Sequence, residues 1–200
     1  MAPRISDEAK EERRVKILQA ALECFSQKGY YASKVDDIVQ YSNMSKGSIY
    51  NYFSGKEDIF ISILQHETQK AHAVMDAKLK EISSPLEQLR YWIKSDIPYD
   101  PTKKKLMRVH IEFWLYSTDS PEVQHVLKDR FDFNFEKVKD IIIAGQKQGE
   151  IKADIDPEKA AATFWELHDG LWLHKIIGYA EEKIEERILK MEKTMMALLT

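Results

Sequence analysis

The chain has little of what many functional classes require. Its 200 residues include one cysteine, Cys24, so an internal disulfide framework is excluded. Cys24 falls near the apolar face of the first helical segment and reads as a small core residue. The seven glycines are scattered, which leaves no phosphate-cradling loop and no nucleophile elbow. No stretch approaches the roughly 20 apolar residues of a membrane span, and no signal peptide opens the chain. A cytoplasmic location without membrane contact is therefore expected. His66 and His72 lie six apart, off a common helical face, and His110 and Glu112 lie two apart and point away from each other. With no His-x-x-x-His pair and no cysteine cluster, no metal site, cofactor or catalytic constellation is expected. Strand-period segments, repeats and low-complexity tracts are also missing.

What is present fits an all-α protein of about nine helices. Hydrophobic residues make up 44% and charged residues 32% of the chain, ordinary values for a helical globular protein. The net charge of −3 divides unevenly: residues 1–56 carry +2 and the remainder −5. Any affinity for nucleic acid would have to come from a few placed contacts rather than a broad basic field.

Residues 1–8 read as a flexible arm carrying Arg4. From about Asp7 to Lys28 the pattern is helical, with Leu18, Ala21, Leu22 and Phe25 on one face and Gly29 as a natural terminator. A long helix begins near Lys56 and runs to about Ile82. Ser83-Ser84-Pro85 then breaks the chain and caps a helix reaching about Asp96. A loop over residues 97–101 follows, with Pro101 able to open a helix to about Ser117. Further helices are expected up to Gln146, after Pro157, and over the last residues of the chain.

The most informative stretch is residues 33–60. Val35, Ile38 and Val39 mark one apolar helical face, with Ser33 and Asp36 close to a capping box. Ser42-Asn43 interrupts it, since both side chains compete for backbone hydrogen bonds. Ser45 can cap a second helix running to Phe53, and Ser54-x-x-Glu57 supplies a capping box for the next. Two short helices across a tight turn form a helix-turn-helix layout. The second exposes Lys46, Ser48, Tyr50 and Asn51, side-chain types that bond phosphates and base edges. Gly47 inside that helix costs about 1 kcal/mol relative to alanine, which makes sense where a DNA backbone comes close.

Residues 29–60 resemble the DNA-binding domain of TetR-type transcriptional repressors. The likeness rests on Gly29, Tyr30, Ser33, Val35, Asp37, Ile38, Ser42, Ser45, Lys46, Gly47, Ser48, Ile49, Tyr50, Tyr52, Phe53, Lys56 and Glu57. The chain departs from the pattern at Lys34, Val39, Asn43 and Met44; Asn43 can supply the left-handed conformation of the usual glycine. The resemblance implies a three-helix DNA-binding domain over residues 1–55, with helix 56–82 as the link, and a helical ligand-binding and dimerisation domain over 56–200. On this reading Lys34, Lys46, Tyr50, Tyr52 and Lys56 hold phosphates, Ser48 and Asn51 face bases, and Tyr50 suits either. Ser33, Ser45 and Gly47 complete the DNA-binding surface. The partner expected is double-stranded DNA with a palindromic operator.

The second domain is expected to bind a small apolar effector that the sequence does not name. Trp92, Phe113, Trp114, Tyr116, Phe131, Phe135, Trp165 and His168 are numerous enough to line a cavity, although a stripe at helical spacing is more often plain core. Homodimerisation is expected through the last two helices. Phe164, Leu171 and Trp172 lie on one, and Ile184, Ile188, Met191, Met195 and Leu198 recur on the other with a coiled-coil-like spacing. The resemblance also implies repression relieved by the effector, with activation by the same fold as the alternative. A helical small-molecule binder without DNA function would not account for Gly47 and the Lys-Ser-Tyr face.

Overall fold

A computed structural model describes residues 6–95, 101–179 and 183–200, with side chains in the 101–116 helix described from Lys105 onward. The arm with Arg4 and the loop over residues 97–100 lie outside the described residues. Nine α-helices and no strands occur among the described residues: α1 (Asp7–Lys28), α2 (Val35–Ser42), α3 (Lys46–Tyr50), α4 (Lys56–Lys80), α5 (Pro85–Ser95), α6 (Pro101–Tyr116), α7 (Pro121–Gln148), α8 (Pro157–Ile176) and α9 (Ile184–Leu199).

The chain forms two compact units, residues 1–69 with 101–127, and residues 70–100 with 128–200. The backbone therefore passes between them three times, and α4 and α7 each run unbroken from one to the other. The sequence had offered only the helix beginning at Lys56 as a continuous link.

In the first unit, α1 starts where Ser6 Oγ accepts from the Ala9 amide at 3.2 Å, with Asp7 and Glu8 in its positive first turn. It stops at Gly29, whose φ of +83° ends the helix. Ile17, Leu18, Ala21, Cys24 and Phe25 face inward. An aromatic stack fills the centre: Phe60 of α4 lies between Tyr30 and Phe113 of α6, with ring centroids 4.0 Å and 3.7 Å away. Phe25 packs edge-on against Phe60 at 5.5 Å. Cys24 is fully buried and its thiol meets Ser33 Oγ at 3.5 Å, as befits a core residue.

Two of the expected caps are built differently. At α2 the Lys34 amide donates to the Asp37 carboxylate at 2.8 Å, whereas Ser33 turns into the core and donates to Gly29 O at 2.7 Å. At α4 Asp58 rather than Glu57 accepts from the Ser54 amide, at 2.8 Å. Glu57 instead accepts from the Ser120 hydroxyl at 2.7 Å.

In the second unit, Leu89, Trp92, Ile93, Val138, Ile142, Ala161, Phe164, Met191, Met195 and Leu199 make a continuous core. Ser84 caps α5 by accepting from the Glu87 amide, and Glu150 accepts from Ser84 Oγ at 2.7 Å and from the Leu86 amide at 3.0 Å. Ile151 packs over Gly145, where a Cβ would lie 2.5 Å from Ile151 Cδ1 and make that side chain shift. Asp156 caps α8 through the Glu158 and Lys159 amides, with Pro157 in the first turn. No helix among the described residues is long and apolar enough to cross a membrane.

Candidate nucleic-acid interface

The reader is assembled from short helices that could not stand alone. Ile38 of α2 and Ile49 of α3 are both essentially fully buried and tie the two helices to the first core. Between them Asn43 adopts φ +54° and ψ +29°, the left-handed turn for which the sequence had lost its glycine. Asparagine tolerates this region better than most residues. Ser45 Oγ accepts from the Ser48 amide at 3.1 Å and starts α3. The helix is shorter than the eight residues read from sequence; after Tyr50 the chain tightens, with the Tyr52 and Phe53 amides both donating to Ile49 O.

With Ile49 pointing in, α3 turns Lys46, Gly47, Tyr50 and Asn51 outward, with Ser48 and Tyr52 half-buried beside them. Lys34 is exposed at the start of α2. A Cβ on Gly47 would meet nothing within 4 Å, so the chain itself does not demand glycine there. The Lys46 ammonium pairs with Asp36 at 2.8 Å, and the hydrogen bond to that carboxylate raises the lysine pKa. Sequence reasoning missed Asp36 as a partner, because ten residues and a turn separate the two.

Two residues expected at the DNA surface point elsewhere. Ser33 is buried in the hydrogen bond to Gly29 described above. The Lys56 ammonium donates to Tyr30 O at 2.8 Å and Ser33 O at 3.0 Å and lies 4.1 Å from the Tyr30 ring centroid. Burial lowers its pKa, while the nearby Glu112 charge works the other way. Lys56, itself half-buried, braces the α1–α2 corner.

The aromatics expected to line one cavity are divided. Phe113, Trp114 and Tyr116 belong to the first unit, where Phe113 is fully buried against Phe60. Trp92, Phe135, Trp165 and His168 belong to the second, and Phe131 is 41% exposed. Trp92 and Trp165 meet edge-to-face at 5.8 Å, and Trp165 and His168 at 4.9 Å. Physical continuity, invisible in a list of aromatics, decides this grouping.

Part of the expected dimer stripe is turned inward. Phe164, Ile184, Met191 and Met195 are buried within their own unit, and Ile188 and Leu171 pack against that same core. Trp172 is half-buried, and Leu198 is exposed. The regular spacing reflects α9 packing on α5 and α8 of the same chain. The apolar side chains left outside are Leu173, Ile177, Tyr179, Leu189 and Leu198. An open groove of about 530 Å³ runs between α8 and α9, with Leu167, Leu171 and Met191 on its apolar wall and Glu166, Lys183, Glu186, Arg187 and Lys190 around it.

An N-capped second helix presenting Lys, Tyr and Asn, set across a tight turn from α2, is the helix-turn-helix arrangement of a DNA-binding regulator. Residues 17–63 match the family model for bacterial regulatory proteins of the tetR family, and residues 85–193 match that of the BetI-type transcriptional repressor C-terminal region. The chain belongs to the TetR family of transcriptional regulators. It is 26% identical over 191 residues to the uncharacterized HTH-type transcriptional regulator YfiR of Bacillus subtilis, spanning 92% of this chain and 90% of that one. It is 23% identical over 158 residues to the HTH-type regulator UidR of Escherichia coli, 79% of each chain. The fold matches a transcriptional regulator from Saccharomonospora viridis in complex with choline, at TM-score 0.85 and 23% identity, over 94% of this chain and 98% of that one. A TetR regulator from Haloarcula marismortui matches at TM-score 0.86 and 15% identity, over 95% and 100%. These relatives are regulators rather than enzymes.

Proposed function

We propose that the protein is a cytoplasmic homodimeric repressor that leaves a palindromic operator when a small molecule enters its second unit. The observation carrying this reading is the outward face of α3. Lys34, Lys46, Tyr50 and Tyr52 are the phosphate ligands, and Ser48 and Asn51 reach base edges in the major groove, with Tyr50 able to do either. Gly47 lets the phosphate backbone approach without steric contact. Ser45 contributes by starting the helix, whereas Ser33 and Lys56 shape the surface from within.

Dimerisation is supported by the exposed apolar residues of α8 and α9, which suit a four-helix contact between two copies. The effector site lies among Trp92, Trp165 and His168. Aromatic faces accept apolar ligands and also quaternary ammonium groups, so the choline held by the Saccharomonospora relative is the first compound to test. The unbroken helices α4 and α7 give occupancy of the second unit a covalent route to the reader.

The decisive experiment is a gel shift of the DNA upstream of the protein's own gene. A sequence-specific complex that competitor DNA does not remove is expected, and its absence would end the DNA reading. A reporter driven by the same DNA gives the sign: higher expression on deleting the regulator means repression, lower means activation.

A further inference from the structure

We propose that Glu112 of α6 is a positioning residue for DNA binding, holding the α1–α2 corner in the shape the reader needs. This rests on the DNA reading above and adds a residue from outside the helix-turn-helix. The Glu112 carboxylate accepts from the Tyr30 amide at 2.5 Å, 82 residues away in sequence. A Cβ on Gly29 would lie 3.1 Å from its other oxygen, so the carboxylate sits in a notch that the glycine leaves open. At the next peptide, on the other side of the Tyr30 Cα, Tyr30 O accepts from the Lys56 ammonium at 2.8 Å. The corner is thus gripped at both its amide and its carbonyl by groups of opposite charge, from two different helices.

The grip matters because this corner leads directly into Lys34 and the first turn of α2, which carries Asp36, the partner of Lys46. Tyr30 itself is buried in the aromatic stack, so its amide has little access to water as a substitute acceptor. Without Glu112 the amide must either stay unsatisfied or turn outward, and turning outward moves the start of α2. DNA would then bind only the fraction of molecules with the corner in place.

The test compares the full-length wild type with Glu112→Ala and Glu112→Gln, since glutamine keeps an oxygen acceptor. The DNA is the upstream duplex that the wild type retards. Glu112→Ala is expected to weaken binding about tenfold or more, the weight of a hydrogen bond to a charged group. It should leave the salt dependence unchanged and speed hydrogen exchange at the Tyr30 amide in the free protein. Glu112→Gln should recover most of both effects. Wild-type affinity in Glu112→Ala overturns the proposal, and so does a loss that accompanies global unfolding and is not recovered by Gln. Failure of the wild type to bind any upstream DNA overturns the DNA reading, and is told apart because the Tyr30 exchange is read without DNA.

Discussion

At the scale of single residues, two lysines that the sequence treats alike do different work. Lys46 is exposed and paired only with an equally exposed Asp36, an interaction weak enough for a phosphate to replace. Lys46→Ala is expected to lower DNA affinity for all sequences and to reduce the salt slope by about one unit in a titration across ionic strengths. Lys56→Ala is expected to leave that slope alone and to cost about 1–3 kcal/mol of stability in urea, because two carbonyls lose their donor. The motif was legible in residues 29–60 because its spacing and types are local. The inward turn of Lys56 was not, since it depends on where Tyr30 O and Ser33 O lie in three dimensions. His72 gives a pH prediction of its own. Its ring stacks on Phe133 and hydrogen-bonds Asn134 Oδ1 at 2.7 Å; burial lowers its pKa, more than that bond raises it. The unfolded imidazole therefore takes a proton more readily than the folded one, and stability falls as pH drops through about 6.5. Denaturation at about pH 7.5 and 5.5 should show this loss, and His72→Gln should reduce it.

Among the helices, α9 shows what periodicity can and cannot say. Spacings of four and three revealed an apolar face but not the surface that covers it, and α5 and α8 of the same chain cover it. Met195 is fully buried there, so Met195→Ala should cost about 2–5 kcal/mol in equilibrium unfolding. The opposite face of α8 and α9 keeps Leu173, Ile177 and Leu189 outside. For the proposed dimer, Leu189→Glu combined with Ile177→Glu should leave monomers in sedimentation velocity with little change in helix content. Operator affinity should fall roughly 100-fold or more, as the second reader ceases to be tethered. The helix α6 was predicted well in its extent, but nothing in its sequence told that Phe113 stacks on Phe60 rather than lining a cavity. Contacts across so many residues leave no local signature.

For the whole molecule, the all-helical class and the family were readable because composition, spacing and a specific motif agreed. The division into two units was not, because α6 and the first turns of α7 return to the first unit after the chain has left it. On the proposed reading of a homodimer at a palindrome, two chains per operator are expected, with half-sites about 34 Å apart. Light scattering of the complex should give that ratio, and a duplex with one half-site should bind far more weakly.

That return of the chain also bears on how the protein is made. Synthesis from the amino terminus delivers α1 to α3 first, yet the aromatic stack around Phe60 lacks Phe113 until more than half of the chain has been translated. A nascent reader thus has its sequence long before it has its core. Ribosome-stalled chains ending before α6 should expose the Phe60 ring to quencher and protease, and chains long enough to free α6 from the exit tunnel should protect it.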